Sequence, residues 1–160
     1  IAGRKPYCLL QNTNYKIFTR ELVVRYMERA LAYGMLPSYF SNDGYTDRYF
    51  ENPAYYERDR DLFRTYVPLA IELATAGWQP VRTLVSCADE EVFVEQFGDR
   101  YATVFNSSVG QTKRVTLRSG RASAAERVTG ATCAFADGVA VLEIPPESVR
   151  LLDFGAVRQK

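Results

Sequence analysis

The stretch Ala76-Gly77-Trp78-Gln79-Pro80-Val81 is where this sequence changes character. Before it, apolar residues recur every three or four positions, the period of a helix. After it they come in short runs separated by turn residues, the pattern of strands. Gly77 suits the end of a helix because glycine tolerates the left-handed conformation that closes the last turn. Pro80 then lacks the N–H that a continuing helix would need.

Upstream of Gly77, the apolar run Tyr7-Cys8-Leu9-Leu10 predicts a strand buried on both faces, and Gln11-Asn12-Thr13-Asn14 ends it. Thr19 can cap a helix in which Leu22, Val23, Tyr26, Met27, Ala30 and Leu31 share a face, with Gly34 as its stop. Met35 to Phe40 predicts a second strand, although Pro37 removes one ladder donor. The polar stretch Ser41-Asn42-Asp43-Gly44 follows as a loop. Asn52-Pro53 then opens a long helix, carried by Tyr56, Leu62, Phe63, Tyr66, Val67, Ala70, Leu73 and Ala74 to Gly77, which Pro68 should kink or split.

Strand, helix, strand, helix is the order of a parallel sheet, yet two strands cannot bury the stripes Leu22, Met27, Leu31 and Phe63, Tyr66, Val67, Leu73. The second half, or something outside this sequence, must cover them.

Downstream, Val81 to Val85, Val92 to Phe97, Tyr101 to Phe105, Lys113 to Leu117, Val139 to Ile144 and Val149 to Phe154 read as short strands. Gly98-Asp99, Ser107-Ser108-Val109-Gly110, Asp137-Gly138 and Pro145-Pro146 supply turns between them. Ser119 to Thr132 reads as a long connection. The expected fold class is α+β: an α/β segment over residues 1–77 and an antiparallel β-sandwich over 78–160.

Composition narrows the function classes. The 160 residues are 47% hydrophobic and 24% charged, with a formal charge of +1, as in an ordinary globular protein. The charges form no basic patch for nucleic acid and no polybasic membrane anchor; Arg58-Asp59-Arg60-Asp61 alternates in sign and reads as a solvated helix face. No apolar run approaches the roughly 20 residues that span a bilayer. Neither nucleic acid nor a membrane is therefore expected as a partner. Histidine is absent, which excludes Ser-His and Cys-His nucleophile pairs and histidine metal ligands within these residues. Cys8, Cys87 and Cys133 lack metal-ligand spacing and read as mostly buried, reduced thiols. No metal site and no cofactor is expected. The opening Ile1-Ala2-Gly3-Arg4 leads at once into a strand, as in a piece of a longer protein.

The combination of Tyr7 to Tyr15, Tyr33-Gly34-Met35-Leu36-Pro37-Ser38, Glu51-Asn52-Pro53 with Arg58-Asp59-Arg60, and Ala76 to Val81 resembles the carboxy-terminal end of large glycoside hydrolases. Val94-Glu95-Gln96-Phe97-Gly98 and Tyr101-Ala102-Thr103-Val104-Phe105-Asn106 extend the resemblance over nearly the whole chain. It implies the last two βα units of a (β/α)₈ barrel followed by a small antiparallel sandwich. The expected partners are then a carbohydrate and the remainder of a longer polypeptide, or a second copy meeting exposed helices. A stand-alone carbohydrate-binding or structural β-sandwich module is the alternative.

Barrel enzymes place their sites at the carboxyl ends of the strands. On that frame Asn12, Asn14, Tyr15, Asp43, Tyr45 and Arg48 are the candidate sugar contacts, since amides and carboxylates pair with hydroxyls and tyrosine rings face sugar C–H groups. The plainer reading is that Asn12, Asn14, Asp43 and Gly44 merely make turns. Glycoside hydrolysis needs two suitably spaced carboxylates, and only Asp43 and Asp47 fall in the mouth, so no complete catalytic pair is expected. Glu90, Glu91, Glu95 and Asp99 read as edge charges that discourage strand pairing. Trp78 reads as packing between the halves, and Asn106-Ser107-Ser108 matches a glycosylation sequon.

Overall fold

The computed structural model describes residues 8–41 and 48–155. Its first unit is strand β1 (Cys8–Thr13), helix α1 (Arg20–Ala32) and strand β2 (Leu36–Ser41), with β1 and β2 parallel and Cys8 opposite Leu36. Thr19 caps α1, its hydroxyl accepting from the Leu22 N–H. Tyr26 ties the unit together: its hydroxyl accepts from Ser38 N (2.7 Å) and lies within bonding reach of the Ser38 and Leu9 carbonyls. One side chain thus fixes the helix to both strands. Burial of that phenol pushes its pKa up to about 12.

A 3-10 turn (Tyr49–Glu51) leads into helix α2 (Pro53–Ala76), where the Asn52 side chain accepts from Ala54 N and Gly77 closes the helix at φ 82°. Of the kink or split expected at Pro68, the split is absent, since α2 runs through Pro68 as one helix. A proline removes one backbone bond, and the buried Leu62, Tyr66, Leu69, Ala70 and Leu73 on either side hold the helix in place.

Beyond Gly77 the described residues form nine strands: β3 (Trp78–Gln79), β4 (Ser86–Cys87), β5 (Val92–Phe97), β6 (Tyr101–Asn106), β7 (Lys113–Arg118), β8 (Ser123–Glu126), β9 (Thr132–Ala134), β10 (Val139–Ile144) and β11 (Val149–Asp153). They make an antiparallel sandwich with sheet orders β3-β5-β6-β11-β8-β9 and β10-β7-β4. The described part of the protein is therefore mixed α/β, with two α-helices and antiparallel sheets beside one parallel strand pair.

Two sequence expectations fail here. Val81 to Val85 is not a strand but the crossing from one sheet to the other. The Gln96 side-chain oxygen accepts from Thr83 N (2.7 Å) and Leu84 N (3.1 Å), so a side chain replaces the ladder. Ser119 to Thr132 is not a plain connection, since it contains β8 and the start of β9. Its inward residues are the small Ala124 and the buried Glu126, whose carboxylate accepts from the N–H groups of Val128, Thr129 and Leu151.

Every residue of β6 is buried because both faces of the six-stranded sheet are covered. Ala102 and Val104 meet Val115, Leu117, Ala140 and Ile144 in the core between the sheets, whereas Tyr101 and Phe105, with Val149 and Leu151 of β11, meet the helices. The cover that the helix stripes required is thus the outer face of the sandwich. Met27, Leu31, Tyr66 and Leu73 are buried on it, while Leu22 proves exposed and Val23 takes its place. Burying one such side chain stabilises by about 1.5–3 kcal/mol.

Polar anchors fix the same interface. Thr103 Oγ1 donates to Ala32 O at 2.6 Å, and the Glu28 carboxylate accepts from Val149 N (2.7 Å) and the Tyr66 hydroxyl (3.0 Å). Glu147, at φ 52°, takes Arg25 and Arg29 of α1. Glu72 of α2 takes Arg127 and the Tyr101 hydroxyl. Gly34 shows how close the approach is, since a Cβ there would lie 2.2 Å from the Phe97 ring.

Trp78 packs against this shared core, and its Nε1–H donates to Glu95 at 2.5 Å, so Glu95 is no bare edge charge. The sequon at Asn106 is sealed: the buried amide nitrogen lies 2.8–3.0 Å from the carbonyls of Gln111, Ile144 and Pro145. Of the cysteines, only Cys133 is buried; Cys87 is half-buried and Cys8 is exposed. No described helix is long and apolar enough to cross a membrane.

Candidate functional site

At the carboxyl ends of β1 and β2 the rings form a pocket of about 260 Å3, lined by Tyr15, Tyr39, Phe40, Arg48, Tyr49, Phe50 and Glu51. The turn after β1 builds one wall. Asn14 Oδ1 accepts from Lys16 N at 3.0 Å, a local bond that reverses the chain and turns Tyr15 inward, where it is 2% exposed. Tyr39 supplies the floor from β2. Tyr49 stacks on it at 4.4 Å between ring centres and 16° between planes, and Tyr15 meets Tyr49 edge-on at 5.3 Å. Phe50 stands edge-on to Tyr49 at 5.1 Å and is itself exposed.

Asp59 holds this arrangement from behind. The alternating charges place it on a solvated face, yet it is fully buried, because its position on α2 continues the series Tyr56, Leu62, Tyr66 that points inward. The Tyr49 hydroxyl donates to Asp59 Oδ2 at 2.7 Å, and Arg58 grips both carboxylate oxygens from Nε (2.8 Å) and Nη2 (2.7 Å). Arg20 closes the cluster 3.8 Å from Asp59 and pairs with Asp61. Burial, and then the Asp59 hydrogen bond, raise the Tyr49 pKa well above the usual tyrosine range. Tyr39 is raised further, mainly by burial, and its buried hydroxyl has no hydrogen-bond partner among the described residues. A buried, unpaired hydroxyl costs about 1–3 kcal/mol.

Of the six expected sugar contacts, Tyr15 and Arg48 meet in this pocket. Arg48 lies exposed at its rim, paired with Glu51 at 2.7 Å. Asn14 makes the turn described above, so the plain turn role is the one the geometry displays. Asn12 lies in β1 opposite Phe40, with its side chain outside the described part; Asp43 and Tyr45 fall outside the described residues altogether. Sequence reasoning missed Tyr39, Tyr49, Phe50 and Asp59. Helical phase alone could have flagged Asp59.

Among the described residues the pocket offers aromatic faces and one rim carboxylate, Glu51, already paired with an arginine. That arrangement can hold an apolar or C–H surface and orient polar groups at the rim. Glycosidic cleavage uses two facing carboxylates, and the two that the sequence places in this mouth, Asp43 and Asp47, fall outside the described residues.

No protein-family model matches this sequence, and no curated protein matches it. Solved structures do share its fold. A GH27 β-L-arabinopyranosidase from Geobacillus stearothermophilus aligns with a TM-score of 0.52 at 12% identity, over 90% of this chain and 32% of that one. Ttha1563 from Thermus thermophilus aligns at 0.57 and 17% identity, over 84% and 32%. An Anoxybacillus alpha-amylase aligns at 0.54 and 15% identity, over 96% and 39%. At these identities the likeness is one of fold. The chain spans about a third of the length of the structures it matches.

Proposed function

We propose that this chain is the carboxy-terminal portion of a glycoside-hydrolase-like protein. Residues 1–77 are the closing α/β units of a catalytic barrel, and 78–160 are the sandwich that braces it. The observation that carries this reading is the bare parallel pair. Strands β1 and β2 pair with no other strand among the described residues, and Cys8, Leu10 and Phe40 on the face away from α1 are exposed, Leu10 by 59% and Phe40 by 52%. A two-stranded parallel sheet is not an independent structure, and parallel sheets are normally covered on both faces. The partial coverage of the glycoside hydrolases that share the fold points the same way.

In this reading the sandwich stabilises the barrel through Glu28, Glu147, Thr103 and Glu72. The end of β1 and the loops after β1 and β2, with Asn12, Asn14, Tyr15, Asp43, Tyr45 and Arg48, add secondary contacts to a carbohydrate. Tyr39, Tyr49 and Phe50 belong with them. The catalytic carboxylates lie elsewhere in the longer polypeptide.

The test pairs an activity assay with a binding map. The 160-residue chain, given a panel of aryl glycosides, should show no turnover above buffer. Titration with monosaccharides should perturb amides around Tyr15, Arg48 and Tyr49. Turnover abolished by Asp43→Asn would overturn the assignment, and sugar binding confined to the sandwich would favour a stand-alone binding module.

A further inference from the structure

We propose that the sandwich carries a second site, a cleft of about 320 Å3 that binds a small oxyanion through Arg82 and Arg118. The proposal is independent of the carbohydrate reading. Three separate pieces of chain form the cleft: the crossing segment from Arg82 into the start of β4 at Ser86, the end of β7 with Ser119 and Gly120, and Gly138 before β10. Two arginines, Arg82 and Arg118, are among the residues that line it, and no aspartate or glutamate is.

The frame is fixed in advance of any ligand. Gln96 holds the backbone of Thr83 and Leu84, and the Ser119 hydroxyl donates to Leu84 O at 2.6 Å. Ser119 N donates to Gly138 O at 3.0 Å, and Gly138, at φ 77°, keeps that turn so close that a Cβ would lie 3.2 Å from Ser119 O. Arg82 is tethered too, since one Nη1–H donates to Val94 O at 2.7 Å and its remaining donors stay available.

Arg118, paired across the strands with Ser86, has no hydrogen bond or ion pair from its guanidinium among the described residues. Lys113 pairs with Asp89 and Glu91, Arg100 with Asp153, and Arg127 with Glu72 and Asp153, whereas among the described residues Arg118 keeps its donors free beside the cleft. A guanidinium presents a planar fork of donors that fits the two oxygens of a carboxylate or phosphate. One tethered and one unpaired fork in a cleft without an acid fit such an anion. The carboxylate of an acidic sugar and a free phosphate share that chemistry.

The experiment titrates the 160-residue chain with inorganic phosphate, glucuronate and neutral glucose at constant ionic strength, following amide shifts and heats of binding. Saturable binding of phosphate, glucuronate or both, mapped to Ser86, Gly120 and Gly138, is the expected result, and which anion binds tells the two sources apart. Arg118→Gln should weaken it by about tenfold or more, as loss of a charge-assisted contact does. Arg114→Gln, on the same strand but outside the cleft, should leave it unchanged. Arg118 is exposed, so its variant should keep the native circular dichroism spectrum even if Arg82→Gln disturbs the Val94 contact. No saturation with either anion, equal binding of glucose, or binding untouched by Arg118→Gln would each overturn the site.

Discussion

Replacing Asp59 by alanine should loosen the aromatic pocket and destabilise the whole chain. The carboxylate is fully buried, holds the Tyr49 hydroxyl at 2.7 Å and takes two bonds from Arg58 at 2.7 and 2.8 Å. Its removal leaves a buried phenol without an acceptor and a cation without its counter-charge. Breaking a fully buried ion pair costs about 3–5 kcal/mol. The Arg58 side chain retains 31% exposure and a second acceptor at Phe18 O, so it can partly rehydrate, and about 2–4 kcal/mol is expected. Asp59→Asn keeps an acceptor for Tyr49 and should cost less. Urea unfolding at about 25 °C of the parent, Asp59→Ala, Tyr49→Phe and the double variant measures this directly. The two changes share one bond, so their costs should fall short of additivity by at least ~0.5 kcal/mol. A loss below about 1 kcal/mol for Asp59→Ala, or strict additivity, would refute the claim that Asp59 positions Tyr49.

Two further outcomes follow from buried polar groups. Burial raises the Glu28 pKa despite its bonds from Val149 and Tyr66 and the nearby Arg150, so folding favours the protonated acid. Its stabilising contribution is complete below the ordinary glutamate value, about 4.3, and is lost as pH rises through the higher folded value. The stability of the parent relative to Glu28→Gln, measured by urea unfolding from about pH 4 to 8, should therefore fall across that interval, and a pH-independent difference would contradict it. Asn106→Asp, nearly the same shape, would turn an oxygen toward the carbonyls of Gln111, Ile144 and Pro145, and should cost about 3 kcal/mol or more, read as a lowered Tm. A Tm within about two degrees of the parent would mean that those contacts contribute little.

Much of the fold was legible because local signals agreed with tertiary need. Thr19, Asn52 and Gly77 bound their helices where capping chemistry says they should, and the runs at Val92, Lys113 and Val139 became strands. The misses share a cause, in that a side chain took over a task that pattern reading assigns to the backbone or to solvent. Gln96 satisfies the amides at Thr83 and Leu84, so an apolar run needs no ladder. Glu126 satisfies three amides around β8, so a polar, alanine-rich stretch can be a strand. Arg58 and Tyr49 satisfy Asp59, so a charge run can lie half inside. The candidate site was legible only at Tyr15 and Arg48, because the stacking of Tyr39 on Tyr49 joins residues ten apart whose run lengths carry no such information.

The bare parallel pair is the feature on which the assignment rests, and amide hydrogen exchange of the isolated chain, run beside sedimentation, tests it most directly. If β1 and β2 belong to a larger barrel sheet, their amides should exchange far faster than those of β6 and β11, or the chain should self-associate and thereby protect them. Helices α1 and α2, packed on the sandwich, should be protected in either case. A monodisperse monomer with slow exchange throughout β1 and β2 would contradict the account and leave a self-contained α+β protein.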